Sequence, residues 1–297
     1  MKRNVTIRGI LFCAFCVPCL SHVSACDMMG VSFNKEVELG DLFSKFREIS
    51  QEKDPDGWGV AFYGDASATV FKEPIRASKS ALAEFLISHD VLTSRILIAH
   101  LRWGSIGRPS PRNTHPWTRE LNGKEYALAH VGGADKRLWE TVRLGRFKPV
   151  GENCAEFLFC HVLAKIEEGR LDAWNEESFA RLHQVLVAVN EVQTTSHLLS
   201  DGTYLFAYSS KKGTWLSYVT REMAPAKAGP EQERTGPEPA VGVVVARNGH
   251  NLAEPGEPWT KIQPGQLVVF KDGEIVFASK PDPDRSLRSQ SAKRDQR

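Results

Sequence analysis

The sequence predicts an α+β domain. Strand-like segments fall into two groups, one up to about residue 133 and one from about residue 196. Strong helical periodicity lies between them, over Ala155–Glu168 and Glu176–Gln193. Helices clustered between two groups of strands suit a domain of two or four layers better than a parallel α/β wheel.

The elements follow in order. "CDMMGVSF" (26–33) opens as a strand, and Leu39–Ser50 is helical, with Leu42, Phe43, Phe46 and Ile49 on one face. "DGWGVAFYGD" and "SATVFKEP" read as a hairpin with Gly64 and Asp65 near its tip. "SKSALAEFLISHD" (78–90) is helical, and "SRILIAHLRWG" (94–104) is a buried strand. "PSPRNTHPWT" (109–118) is expected to be irregular because of its prolines. "KEYALAHVGG" (124–133) is a strand ending in glycines. After the two helices, "SHLLSDGTYLFAYSS", "TWLSYVT", "AVGVVVARN" and "GQLVVFKDGEIVF" are strands, with turns at Asp201-Gly202 and Asp272-Gly273. The stretch from Ala224 to Pro239 is a polar loop. Residues 281–297 form a charged, apolar-poor tail expected to be disordered.

The N-terminus departs from this pattern. Lys2, Arg3 and Arg8 precede the uncharged run "GILFCAFCVPCL", and Val23 and Ala25 flank Ser24. A basic region, a short apolar region and small residues at −3 and −1 are the marks of a secretory leader, residues 1–25, cut after Ala25. The apolar run is short for a membrane span, and Pro18 interrupts it. Cys13, Cys16 and Cys19 lie in that run without a His or acidic partner, which argues against a metal site. Cleavage leaves Cys26, Cys154 and Cys160, too few for a disulfide scaffold and odd in number.

Across 297 residues, 41% are hydrophobic and 25% charged, enough for one large domain over residues 26–280. The formal charge of +2 excludes an electrostatic case for nucleic acid. No phosphate loop, nucleotide fingerprint or metal-ligand spacing is present, so no cofactor is expected.

Cleavage after Ala25 would give Cys26 both a thiol and an α-amine. Their unperturbed pKa values are ~8.5 and ~7.7–8.0, so both titrate near neutrality. The amine can accept the thiol proton and later protonate a leaving group, which makes one residue a complete nucleophilic unit.

The pieces "CDMMGVS", "DPDGWGVAFY", "IAHLRWGSIG", "NTHPW", "ALAHVGG", "GENCAEFLF", "LLSDGTYLFAY" and "WTKIQPGQLVVF" fall in one order between Cys26 and Val276. Taken together they resemble the class II glutamine amidotransferases, in their short stand-alone form. The resemblance implies a four-layer αββα sandwich of the N-terminal-nucleophile hydrolase type. It implies hydrolysis of a glutamine or γ-glutamyl-type amide through a thioester on Cys26. It also assigns roles: Arg102 would clamp a substrate carboxylate through its planar fork, Trp103 would shape the pocket wall, and Ser105 would supply a pocket hydroxyl. His115 would stand near the site, either on the substrate or bracing a loop. The Gly132 backbone N–H, with help from Gly133, would face the oxyanion. Asp56 and Trp58 in "DPDGWG" read as structural residues of a tight turn.

Two positions depart from the family pattern. Val131 stands where the family carries an Asn that donates to the oxyanion, a contact typically worth about 10²–10³ in rate. Cys154 stands where the family carries an acid for the substrate ammonium, and a thiol is a poor substitute. Glu152 or Glu156 are candidates to compensate, although Glu156 also fits as a helix-dipole partner. The pattern therefore allows a blocked-amine substrate, a slow enzyme, or a retired enzyme that binds a small molecule.

"VSAC" also resembles a lipobox. Lipidation of Cys26 would consume thiol and amine together and leave a membrane-anchored binding protein. An exported protein, periplasmic or secreted, with a free Cys26 is the expectation set against it. No synthase domain follows in this chain, so simple hydrolysis is expected unless a separate subunit accepts the ammonia.

Overall fold

The computed structural model describes residues 26–53, 55–104, 106–133, 142–171, 173–192, 194–211, 214–226, 238–247 and 249–282. The leader expected over residues 1–25, the tail from 283 onward and Ser105 lie outside these residues.

Thirteen strands and four α-helices among the described residues build two sheets. The first half runs β1 (Asp27–Glu38), α1 (Gly40–Lys53), β2 (Gly57–Tyr63), β3 (Ala68–Glu73), α2 (Ala81–Ser88), β4 (Thr93–Arg102), β5 (Trp117–Leu121) and β6 (Lys124–Gly133). The second half runs α3 (Cys154–Gly169), α4 (Glu176–Val192), β7 (Thr194–Ser200), β8 (Leu205–Tyr208), β9 (Leu216–Met223), β10 (Ala240–Arg247), β11 (Thr260–Lys261), β12 (Leu267–Lys271) and β13 (Glu274–Ala278). One sheet has the order β11-β9-β10-β1-β4-β2-β3, and the other β13-β12-β8-β7-β6-β5. Neighbouring strands pair antiparallel in both.

Strand alternation sorts the apolar side chains into three layers. Met29, Val31, Phe33, Leu97, Ala99 and Leu101 meet Leu42, Phe43, Phe46 and Ile49 of α1. Met28, Ile96, Ile98, Ala127, Ala129 and Val131 fill the space between the sheets. Leu128, Leu199 and Phe206 pack under Leu158, Phe159, Val162 and Ile166 of α3 and Leu182 and Leu186 of α4. Each fully buried Leu or Phe stabilises by about 1.5–3 kcal/mol, so these three layers specify one arrangement. The result is the four-layer αββα sandwich.

Local signals fix the helix starts. Ser80 accepts the Ala83 N–H at 2.9 Å ahead of α2. Asn153 accepts the Ala155 N–H at 3.0 Å ahead of α3. One expectation is corrected: "PSPRNTHPWT" is not irregular throughout. Pro111–Asn113 form a 3-10 turn, and Trp117 and Thr118 begin β5. The prolines end just before the strand, and β5 pairs at the sheet edge with β6 through Trp117↔Leu128 and Thr118↔Ala127.

Candidate active site

Cys26 stands at the head of β1, the strand flanked by β4 and β10. The register Asp27↔Leu101 brings it to the end of β4, where the Trp103 N–H donates to Cys26 Sγ at 3.2 Å. The thiol lies 3.6 Å from the Trp103 carbonyl. It is half-buried against the inter-sheet cluster that contains Met28 and Val131. Burial pushes the thiol up to about 11, opposed by the Trp103 N–H and by the charges of Arg102 and Arg247. While Ala25 is attached, Cys26 has no α-amine, so the uncut chain lacks the base expected of this residue.

Arg102 ends β4 with its side chain only 1% exposed. Nη1 donates to Asp56 Oδ2 at 2.5 Å, and Nη2 donates to the carbonyls of Ile106 and Gly107 at 3.0 and 2.7 Å. Asp56 Oδ1 accepts the Gly104 N–H at 3.2 Å, which closes the loop over the guanidinium. A Cβ at residue 104 would lie 2.1 Å from the guanidinium carbon, so a side chain there would displace the guanidinium from Asp56 and the loop carbonyls. Asp56, read from the sequence as a structural turn residue, is thus the direct partner of Arg102.

Val131 is fully buried between the sheets, in the same cluster that Cys26 packs against. Gly132 has φ +131°, and a Cβ there would sit 1.9 Å from the Thr194 carbonyl oxygen. Any other residue would displace the end of β6 from β7. His100 Nε2–H donates to the His130 carbonyl at 3.0 Å, which ties β6 to β4 immediately before Val131 and Gly132. Gly133 is exposed at the strand end.

Cys154 is the first residue of α3 and is buried, its sulfur 3.9 Å from Asn153 Oδ1. The two neighbouring acids, the candidates to compensate, each have partners of their own. Glu156 is fully buried, pairs with Arg119, and accepts the Val150 and Gly151 N–H groups at 2.9 and 2.6 Å. Its carboxylate holds the loop before α3. Glu152 pairs with Arg112 at 2.7 Å on the surface. Asn113 joins the two loops, donating to the Arg108 carbonyl at 3.0 Å and accepting the Glu152 N–H at 2.8 Å.

His115 is buried in a row of imidazoles. Its ring centroid lies 3.9 Å from those of His100 and Trp117 and 5.8 Å from that of His130, which lies 5.6 Å from His197. Desolvation lowers all four histidines, to about 3 for His100 and about 4 for His130, so they are neutral at pH 7. Lys72 Nζ donates to the Thr114 and Pro116 carbonyls at 3.1 and 3.2 Å, bracing the loop on either side of His115. Neither ring nitrogen of His115 has a hydrogen-bond partner among the described residues, so its contacts are ring against ring. Among the described residues, no three His, Cys, Asp or Glu side chains converge as a metal would require.

Two further charged residues at Cys26 escaped sequence reasoning. Arg247, the last residue of β10, donates to the Cys26 carbonyl at 2.8 Å and to Asp27 Oδ1 at 3.1 Å. The only signal for it is a charge closing the apolar run "AVGVVVA".

Comparison with known proteins gives a consistent picture. A family model described as class-II glutamine amidotransferases matches residues 25–294. An uncharacterised Methanocaldococcus jannaschii protein is 34% identical over 273 residues, covering 89% of this chain and 74% of that protein. Escherichia coli YafJ, named as a candidate glutamine amidotransferase, is 27% identical over 260 residues, covering 84% of this chain and 99% of its own. The crystal structure of a predicted glutamine amidotransferase from Pseudomonas aeruginosa superposes with a TM-score of 0.58 at 25% identity, over 85% of this chain and all of that one. The glutamine phosphoribosylpyrophosphate amidotransferase of B. subtilis gives a TM-score of 0.59 at 16% identity, over 86% of this chain and 49% of its own, a likeness of fold alone.

Proposed function

The chain belongs to the class II glutamine amidotransferases, and on that premise we propose that it is an amidohydrolase whose nucleophile is Cys26. The substrate is a glutamine or γ-glutamyl-type amide. The Cys26 thiolate attacks the side-chain carbonyl, ammonia or an amine leaves with a proton from the Cys26 ammonium, and water hydrolyses the thioester. The observation that carries this reading is the placement of Cys26 Sγ at the head of β1, receiving the Trp103 N–H at 3.2 Å beside Arg102.

Removal of a leader after Ala25 is part of the proposal, because only a free α-amine supplies the base. With export as the route, the same cut that releases the protein would unmask its nucleophile. Ammonia is released to water unless a separate subunit receives it. Val131 and Cys154 favour a substrate that lacks a free α-amine and a modest turnover.

The test starts with intact mass of protein from its native host. An N-terminus at Cys26 without added mass, together with hydrolysis of glutamine, γ-glutamyl peptides or N-acylated glutamine that vanishes in Cys26→Ala, supports the reading. A mass increase of diacylglycerol size on the Cys26 peptide overturns it and favours a lipid-anchored binding protein, the reading that the two altered positions would also suit.

A further inference from the structure

We propose that Arg247 is a positioning residue for Cys26, acting through Asp27: the two side chains form a charge-balanced clamp on the nucleophilic residue. The proposal rests on the reading of Cys26 as nucleophile but is tested apart from turnover.

The geometry is specific. β10 pairs with β1 through Met29↔Ala246, so Arg247 lies at the end of its strand beside the first residues of β1. A single nitrogen, Nη1, donates both to the Cys26 carbonyl at 2.8 Å and to Asp27 Oδ1 at 3.1 Å. The arginine side chain is 14% exposed, and the Asp27 side chain is fully buried. A buried carboxylate is costly without a cation beside it, so Asp27 holds Arg247 in place, and Arg247 holds the Cys26 carbonyl. From the β4 side, the Trp103 N–H holds the Cys26 sulfur.

The clamp also sets the charge around the thiol. From β4, Arg102 favours the thiolate. From β1, Asp27 opposes it, and from β10 Arg247 favours it. Met28 and Val131 on the inter-sheet side add no charge. Asp27 and Arg247 therefore act in opposite senses at the sulfur, and removing either one alone shifts the thiol in opposite directions. A merely structural pair would loosen the strand end in the same sense whichever partner was lost.

The experiment measures alkylation of Cys26 by iodoacetamide in the full-length protein, read by mass on the Cys26 peptide across a pH series. Arg247→Met should slow alkylation at pH 8 by about threefold and move the profile to higher pH. Asp27→Asn should speed it by threefold or more and move the profile lower. Arg247→Lys, which keeps the cation, should stay close to the parent. Asp27→Asn alone decides the matter if Arg247→Met does not fold. An unchanged or slower rate in Asp27→Asn, or an unchanged rate in a folded Arg247→Met, overturns the proposal. If these shifts appear while no amide is hydrolysed, the clamp stands and the hydrolase reading falls.

Discussion

Asp56 Oδ2 lies 2.5 Å from Arg102 Nη1, so the guanidinium expected to receive a substrate carboxylate already holds one of the protein's own. The two remaining contacts of the fork go to loop carbonyls. A substrate carboxylate must therefore exchange with Asp56 or share its cation. Asp56→Asn removes the resident anion. The expected result is a lower KM for amides with a free carboxylate, with kcat little changed. The expected stability cost is about 1–3 kcal/mol in urea unfolding, from a lost charged hydrogen bond at a partly exposed acid. A normal KM with the full stability loss would assign the pair to structure alone.

The histidine row makes the fold acid-sensitive. His100 titrates at about 3 in the folded chain, against ~6.5 for an unperturbed imidazole. Between those values the unfolded chain binds more protons than the folded one, so stability rises with pH and is lost as pH falls from about 6.5 toward 3. Each such histidine contributes a slope of about 1.4 kcal/mol per pH unit in that window. His100→Gln keeps a donor for the His130 carbonyl but cannot titrate. Its unfolding free energy, measured from pH 6.5 to 4.5, should fall less steeply than the parent's by about one histidine's slope. An identical slope would mean that His100 is not held neutral.

Much of this was legible in the sequence, for definite reasons. The alternation in "ILIAHLR" and "ALAHV" encodes which side chains meet between the sheets, and the periodicity of α1 and α3 encodes the outer layers. Cys26 stood out because the small residues expected to end a leader stand beside it. β5 was hidden because three prolines before it mask a strand of five residues. The partnership of Arg247 with Asp27, 220 residues apart, depends on the register of β10 against β1, which no local pattern carries. Asp56 looked like a turn residue because its contact with Arg102 depends on the pairing of β2 with β4, where the Asp56 N–H donates to the Arg102 carbonyl at 2.9 Å.

Cys154 offers a test of substrate class. It occupies the first position of α3, where a carboxylate is favoured by the free N–H groups of the helix start. Cys154→Asp should therefore fold. With the acid restored, KM for free glutamine should fall relative to KM for N-acylated glutamine by about tenfold or more, the value of a charge-assisted hydrogen bond. An unchanged KM ratio would mean that residue 154 does not face the substrate amine.

Val131 tests the oxyanion site. Its side chain is fully buried in the cluster that Cys26 packs against, one residue before Gly132, which takes a glycine-only conformation near the end of β6. Val131→Asn places a donor there. In the folded resting state the new amide lacks a built partner, so unfolding in urea should show a loss of about 1–3 kcal/mol. During amide cleavage the same N–H meets developing negative charge, and a donor of this kind is worth about 10²–10³ in rate. The expected outcome is a less stable protein with a higher kcat and a KM within threefold of the parent. If kcat is unchanged while stability drops, the side chain at 131 points away from the reacting carbonyl, and the Gly132 N–H must support the oxyanion without it.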